Sequence, residues 1–589
     1  MAQTLQLYKE SIKPFYPNGE NDDSFKKYAT IIDEFQSSSE GQKLQQKLEA
    51  FASDKRNWLS EFWDNYAYLD YRDPVSPFVS YFFSHKDLNT TVGKDQSLKA
   101  AALTFNILKF MESIEDQSLA PELIKGNPFC MESFKWMFNN SRIPGDGRDT
   151  NVQYDPKENR FMIIISNGHI YKVQTHNSQG VINDLEEMYS AISEIKTHSA
   201  NRGTNLNPIG ILTSSNRDDW YKNHEMLRHI SPKNQAHLDD IAKSSFVLCL
   251  DDNIPITIEE KSRNAWHGNG INRWFDKPIQ IFVAKNASSG FLGEHSKMDG
   301  TPTLRLNDWL VKQIESLDVS PEELSSFSSA VPAYETLDFD VNPAISNAIV
   351  NETTKFNTTV NSLDIKTWQY FGLGKDDIKL FKASPDSFVQ MLIQLAYYKY
   401  TGTLRPTYES ASTRKYFRGR TETCRSVSAE ALKFVQDWEN TVIPPTEKIK
   451  SFRNALKAHG NYIKLASAGF GVDRHLFGLK QMIETDSNAA SSKVVKALFD
   501  DPVCGYSQYW YLSTSQLSSE NFNGYGWSPV VPEGFGLAYM INKKWLHVNV
   551  TCHKENPFGF KADEMAQCLT EAVTELKEVL SHEKVAAKL

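Results

Sequence analysis

Cysteine is scarce in this chain of 589 residues, and the six present (Cys130, Cys249, Cys424, Cys504, Cys552, Cys568) never form a C-x-x-C pair. That scatter argues against a disulfide framework or a structural zinc site, so the expectation is reduced thiols in an intracellular compartment. Long apolar runs are missing too, since no stretch reaches the ~18 residues a membrane-spanning helix needs. Positive charge is in deficit, with 64 Lys+Arg against 73 Asp+Glu and a formal net charge of −9. A protein that coats nucleic acid or an anionic membrane through its net field is thereby excluded, and an anionic ligand needs a local basic patch. The opening MAQTLQLYKESIKPFYPNGENDD lacks an apolar h-region and is neither Arg-rich nor acid-poor, so it reads as neither signal peptide nor transit peptide. Low-complexity tracts and short repeats are absent. What is there in quantity is apolar material, 40% of the chain, enough for large cores and against wholesale disorder. The length corresponds to roughly two to four domains.

Along the chain, residues 24–72 carry apolar side chains at helical spacing. Phe161–Ile165, Ser166-Asn167-Gly168 and His169–Val173 read as a β-hairpin, because Asn-Gly supplies the positive φ of a tight turn. Phe246–Leu250 and Ile279–Ala284 read as further strands. The span 316–361 is rich in Ser, Pro, Asp, Glu and Asn, and its middle is expected to link two halves. After it, Ser384-Pro385-Asp386 opens a helix: serine caps, proline suits the first turn and aspartate favours the positive end of the dipole. Phe388, Met391, Leu392, Leu395 and Ala396 then follow at helical spacing. Gly534–Tyr539 and Leu546–Val550 read as another hairpin, and a final helix fills roughly 562–585.

Five constellations carry possible chemistry. In Gly293–Gly300, His295 precedes Asp299 by four residues. A histidine titrates near neutrality, and an acidic neighbour sets its tautomer and stabilises imidazolium, as a general base requires. Taken alone, such a segment is more often a surface turn. Lys375 and Lys379, in Gly374–Lys379, lie one helical turn apart and suit a phosphate clamp, although such a run is more often a solvated face. Tyr408–Arg414 and Gly419–Thr423 concentrate hydroxyls and arginines fit for a polar anion, or for a plain polar connection. Ser513-Thr514-Ser515 follows an aromatic strand at Tyr509–Tyr511. A serine there either donates to an oxyanion, attacks as a nucleophile or sits on a β-edge, and the missing G-x-S-x-G elbow weakens the nucleophile. Trp266–Gly270 is Gly-rich but lacks G-x-x-x-x-G-K-[ST], so it reads as a loop.

In their order along the chain, these segments and others closely resemble the carnitine/choline acyltransferase family. Matching stretches include Asn57–Trp63, Pro128–Met131, Ser141–Gly145, Ile211–Ser214, Asn272–Lys277, Glu294–Ser296, Ser384–Asp386, Tyr408–Ser410, Asp473–Leu476, Ser513–Gln516 and Pro529–Gly536. The resemblance implies an α/β architecture of two domains, each like a CoA-dependent acyltransferase of the chloramphenicol-acetyltransferase type. Each has a mixed central sheet with flanking helices, and an active-site tunnel runs at the domain interface. The expected division is an N-terminal helical segment over 1–75 packing on the second domain, a catalytic-histidine domain over 76–340 and a CoA/carnitine-binding domain over 341–589. It further implies His295 as general base with Asp299 beside it, and Ser515 as oxyanion donor. Lys375, Lys379 and Asp386 fall on the CoA side, and Tyr408, Thr421, Arg474 and Ser513 on the carnitine side. No metal and no permanently bound cofactor is implied; acetyl-CoA is a co-substrate.

The implied reaction is reversible transfer of an acetyl or other short acyl group between CoA and L-carnitine, directly and without an acyl-enzyme. A medium-chain acyltransferase and a catalytically silent CoA- or carnitine-binding protein are the alternatives. Carnitine differs from choline by a carboxylate, which needs a paired cation and donors; Arg474, Thr421 and Tyr408 supply them. Tyr525 stands where long-chain relatives carry an acyl-pocket glycine, so a short acyl group is expected. The Pro-rich lead usual in the family is not found at the N-terminus, which leaves room for a trimmed form. The last residues, Ala587-Lys588-Leu589, resemble the S-K-L address. They suggest the peroxisomal matrix and its import receptor, with the mitochondrial matrix as an additional or alternative site; no nucleic-acid partner and no integral membrane segment are expected.

Overall fold

The computed structural model describes residues 1–124, 126–326 and 331–586; the tripeptide Ala587-Lys588-Leu589 lies outside the described residues. The chain divides into two compact units. One comprises Met1–Phe62, Asp364–Ser518 and Pro529–Leu589, the other Trp63–Leu363 and Ser519–Ser528. Both are α/β, each built on one large mixed sheet.

The unit of Trp63–Leu363 holds eight strands. Their spatial order is Tyr334–Thr336, His169–Gln174, Phe161–Ser166, Val247–Asp251, Gln280–Ala284, Ser289–Gly293, Tyr81–His85 and Phe522–Gly526. Val247–Asp251 runs parallel to both neighbours, while the other pairs are antiparallel. The expected hairpin is present in its expected register, Ser166 opposite His169, with Asn167 at φ 52° and Gly168 at φ 75°. Two left-handed residues in succession match the twist of the flanking strands, which explains the choice of Asn-Gly. The span expected to be a link behaves differently. Residues Pro343–Ser362 form a helix of 20 residues that buries Ile345, Ile349, Glu352, Phe356 and Val360. A polar composition conceals an apolar stripe at helical spacing there.

In the other unit six strands lie in the order Leu363–Phe371, Trp545–His553, Phe535–Ile541, Leu512–Gln516, Thr407–Ser412 and Thr421–Arg425. The helix Pro385–Thr401 starts where expected, with the Ser384 side chain accepting from the Ser387 amide. Phe388, Met391, Leu392, Leu395 and Ala396 are all fully buried, and each large apolar side chain so removed from water contributes about 1.5–3 kcal/mol. This helix is also buried at Gln390 and Gln394. Their amide nitrogens donate to Thr514 Oγ1 at 2.9 Å and Thr407 Oγ1 at 3.1 Å, which pairs the donor side of each buried amide. The helices Asp23–Ser37 and Ser39–Ala52 pack through Tyr28, Ile32, Phe35, Leu44 and Leu48 against Leu476, Leu479 and Leu498. A strand at Tyr509–Tyr511 is not formed; the strand begins at Leu512, and Ser513-Thr514-Ser515 is its body. Serines and threonine serve here because pairing on both sides satisfies their backbone.

Candidate functional site

His295 follows the strand Ser289–Gly293 and precedes the helix Gly300–Glu315. Gly293 is required by close approach: a Cβ there would lie 2.8 Å from the Tyr81 ring and 2.9 Å from the Phe291 ring. The imidazole sits between two aromatic walls, Tyr68 at 5.0 Å and Tyr81 at 4.8 Å between centroids. Its side chain keeps 29% exposure, so it remains reachable. Nδ1 lies 3.6 Å from Asp299 Oδ1, an ion-pair contact longer than a hydrogen bond. Asp299 is the N-cap of the following helix, yet its carboxylate makes no capping bond to the first amides. It therefore faces the imidazole rather than the helix, the orientation that stabilises imidazolium.

Beneath this pair lies a buried ion network that the sequence reading missed. Arg142, fully buried, donates to Asp149 Oδ2 at 2.6 Å, Glu294 Oε1 at 3.1 Å and the Tyr68 carbonyl at 2.7 Å. Glu294 in turn accepts from the Ser296 hydroxyl at 2.5 Å, and Asn151 donates to that hydroxyl at 2.8 Å. Arg217 bridges Asp149 at 2.6 Å and Asp276 at 2.8 Å. Burial pushes the Asp149 carboxyl up, but Arg217 and Arg142 outweigh it and hold the group below its ordinary range. The residues on either side of His295 and one of its aromatic walls are thus clamped by charges that cannot be removed singly without leaving a partner unpaired. Arg142, Asp276 and Glu294 with Ser296 lie in three of the matching stretches, and that is the signal the sequence offers.

Tyr525, in the edge strand Phe522–Gly526, pairs with Phe83. Its ring is buried, 5.5 Å from Phe83 and 5.3 Å from Trp527. Because Tyr81 and Phe83 alternate two apart on one strand, Tyr525, Phe83 and Tyr81 share one face. That aromatic row ends at the imidazole.

In the six-stranded unit, register decides which hydroxyls meet. Tyr408 pairs with Ser513 on one side and Arg425 on the other, and Ser412 pairs with Thr421. Paired residues and residues two apart share a face, so Tyr408, Thr421, Ser513 and Ser515 all project on the same side. The Tyr408 and Thr421 hydroxyls lie 3.2 Å apart. Arg474, in the first turn of the helix Asp473–Glu484, donates to the Thr421 carbonyl at 2.9 Å and to Thr421 Oγ1 at 3.2 Å. A guanidinium and two hydroxyls converge, which suits a carboxylate. Ser513 is buried and Ser515 half-buried. Lys375 and Lys379 are exposed on the helix Lys375–Leu380, one turn apart. Asp386 is placed differently. Its carboxylate accepts from the Tyr539 hydroxyl at 2.8 Å, and burial, with Glu409 nearby, pushes it up to about 7.

Among the described residues, Glu409, Cys424 and His459 bring donor atoms within 4.8 Å of one another, as a metal would require. The 2.6 Å contact between His459 Nε2 and Glu409 Oε2 is a hydrogen-bond distance, and burial pushes the Cys424 thiol up, disfavouring the thiolate a metal would need. Among the described residues no helix is long and apolar enough to cross a membrane.

The chain matches the family described as Choline/Carnitine o-acyltransferase over residues 1–571. It is 44% identical to the mitochondrial carnitine O-acetyltransferase of Saccharomyces cerevisiae, across 100% of this chain and 88% of that protein. Against the carnitine O-acetyltransferase of Homo sapiens the identity is 31%, covering 98% of this chain and 92% of that one. Against the choline O-acetyltransferase of Gallus gallus it is 28%, covering 98% and 91%.

Proposed function

We propose that this chain, which belongs to the choline/carnitine O-acyltransferase family, transfers an acetyl group reversibly between CoA and L-carnitine. The observation that carries this reading is the convergence of Arg474, Thr421 and Tyr408 within 3.2 Å contacts. A cation and two hydroxyls answer the carboxylate that carnitine has and choline lacks. The identity to carnitine O-acetyltransferases exceeds that to the choline enzyme and supports the same choice.

In this reading acetyl-CoA is a co-substrate, and Lys375 and Lys379 meet its phosphates as point charges. Because Nδ1 faces Asp299, Nε2 of His295 is the working atom. It takes the proton from the carnitine hydroxyl as that oxygen attacks the thioester carbonyl. The tetrahedral oxyanion accepts a hydrogen bond from Ser515, whose neighbour Ser513 faces the same way. Collapse breaks the carbon–sulfur bond, and the imidazolium returns its proton to the departing CoA sulfur. Asp299 stabilises the imidazolium in between, and no acyl-enzyme forms. Tyr525 ends the acyl pocket and restricts the group transferred to acetyl or propionyl. The peroxisomal address read in Ala587-Lys588-Leu589 belongs to the same proposal; a fluorescent fusion that stays out of peroxisomes would remove it.

The test is carnitine-dependent release of free thiol from acetyl-CoA by purified protein, with choline run in parallel. Release with carnitine well above that with choline is expected. Release with neither points to a silent binding protein and overturns the proposal.

A further inference from the structure

On the side of the six-stranded sheet opposite Tyr408 lies a buried polar cluster that the mechanism above does not use. Glu409 sits next to Tyr408 on the strand Thr407–Ser412, and alternation turns its carboxylate to the opposite face. There it is 2% exposed and meets His459 Nε2 at 2.6 Å, with the Ser426 hydroxyl donating at 3.1 Å. His459, 3% exposed on the helix Pro445–Ser467, contacts Ser387 Oγ at 2.8 Å through Nδ1. Ser387 lies in the first turn of the helix Pro385–Thr401. The imidazole therefore ties its own helix and the helix Pro385–Thr401 to the first arm of the hairpin, while the same Glu409 carboxylate holds Ser426, which immediately follows the second arm, Thr421–Arg425. The hairpin is the element that presents Tyr408 and Thr421. A further bond fixes it laterally: Thr514 Oγ1 donates to the Tyr408 carbonyl at 2.8 Å.

We infer that His459 is a positioning residue for the carboxylate subsite, holding through its ion pair with Glu409 the strand that aims the Tyr408 hydroxyl at the substrate. The inference rests on the carnitine reading proposed above.

Charge supports it. Burial pulls the His459 imidazole down, but the Glu409 carboxylate outweighs burial and raises it above its ordinary value. Burial pushes Glu409 up, and His459 outweighs that in turn, holding it below the usual carboxylate range. Each group thus favours the charged form of the other, and losing one member takes this ion-pair contact from a partner that stays buried. Glu409 and Tyr408 are adjacent on this strand, so relaxation of Glu409 is transmitted to Tyr408. The effect falls on carboxylate recognition rather than on the acyl donor.

The experiment compares wild type, His459→Gln and the milder Ser387→Ala, which keeps the ion pair and removes only the hydrogen bond to Nδ1. Steady-state constants are measured for carnitine, acetyl-CoA and the residual choline reaction. His459→Gln should raise the carnitine KM by roughly 2- to 12-fold, the scale of losing the Tyr408 hydroxyl's hydrogen bond, with the acetyl-CoA KM and choline turnover unchanged. Ser387→Ala should shift the carnitine KM in the same direction by less. Glu409→Gln added to His459→Gln should cost little more, since the two act as one unit. Equal shifts in both KM values, or none, overturn the inference. If His459→Gln does not fold, the Ser387→Ala result decides alone: a carnitine-selective rise supports the inference and its absence refutes it. A wild type without carnitine-dependent thiol release would instead sink the functional reading itself.

Discussion

Truncating Arg474 to alanine should separate carnitine from choline. Arg474 is 8% exposed, and two bonds of its guanidinium hold Thr421, one to the carbonyl at 2.9 Å and one to the hydroxyl at 3.2 Å. Its removal withdraws the charge opposite the substrate carboxylate and loosens the residue that supplies a second donor. Losing one partner of a buried, hydrogen-bonded charge pair costs about 2–5 kcal/mol, and each 1.4 kcal/mol is tenfold. The expected fall in kcat/KM for carnitine therefore runs from about 30-fold to a few thousand-fold. Thr421→Val and Tyr408→Phe remove neutral hydroxyls, worth about 0.5–1.5 kcal/mol each, so their losses should be roughly 2- to 12-fold. The acetyl-CoA KM should not move in any of the three. The assay is thiol release with carnitine or choline varied at saturating acetyl-CoA, and with acetyl-CoA varied at saturating carnitine. An Arg474→Ala enzyme with an unchanged preference for carnitine over choline would refute the reasoning, because the carboxylate would then be held elsewhere.

Replacing Tyr525 by glycine should let octanoyl-CoA turn over by opening space at the end of the aromatic row; unchanged chain-length preference would show that the ring is not the wall. The variant should also melt at lower temperature, since removing a buried aromatic ring costs about 3–5 kcal/mol. The double variant Lys375→Ala/Lys379→Ala should raise the acetyl-CoA KM by roughly 2- to 30-fold, the scale of two exposed ion pairs, and the difference should shrink as salt rises. Asp386 titrates at about 7 when folded and near 4 when unfolded, so the folded state holds an extra proton between those values. Its contribution is full below about pH 4 and lost as pH rises through 7, amounting to up to about 4 kcal/mol by linkage. Asp386→Asn should flatten the pH dependence of the melting temperature between pH 5 and 8; an unchanged slope would count against the burial of that carboxyl.

Much of this architecture is legible in the residues, and the exceptions share a physical cause. The hairpin around Asn167-Gly168 announces itself because its turn needs two left-handed residues in succession. The helix from Pro385 is marked by its cap and by five apolar positions that are all buried. His295 and Asp299 were found because they are four residues apart and local spacing is visible in one dimension. The Arg142 network was not, since its partners lie 7, 74 and 152 residues away and no periodicity links them. The helix Pro343–Ser362 hid behind Asn, Thr and Ser on its exposed faces, although its buried stripe has helical spacing. The strand Leu512–Gln516 carries no apolar run to betray it; pairing on both sides buries it instead. Asp386 illustrates a further limit. Its place at a helix start was readable, but not the turn of its carboxylate toward Tyr539.

The claim on which the rest depends is that the His295 imidazole moves the proton. Single-turnover acetyl transfer to carnitine by His295→Ala, with substrate binding checked separately by calorimetry, tests it most directly. The account predicts intact binding and a chemical step slowed by about 10²–10⁴-fold; transfer at the wild-type rate would contradict it.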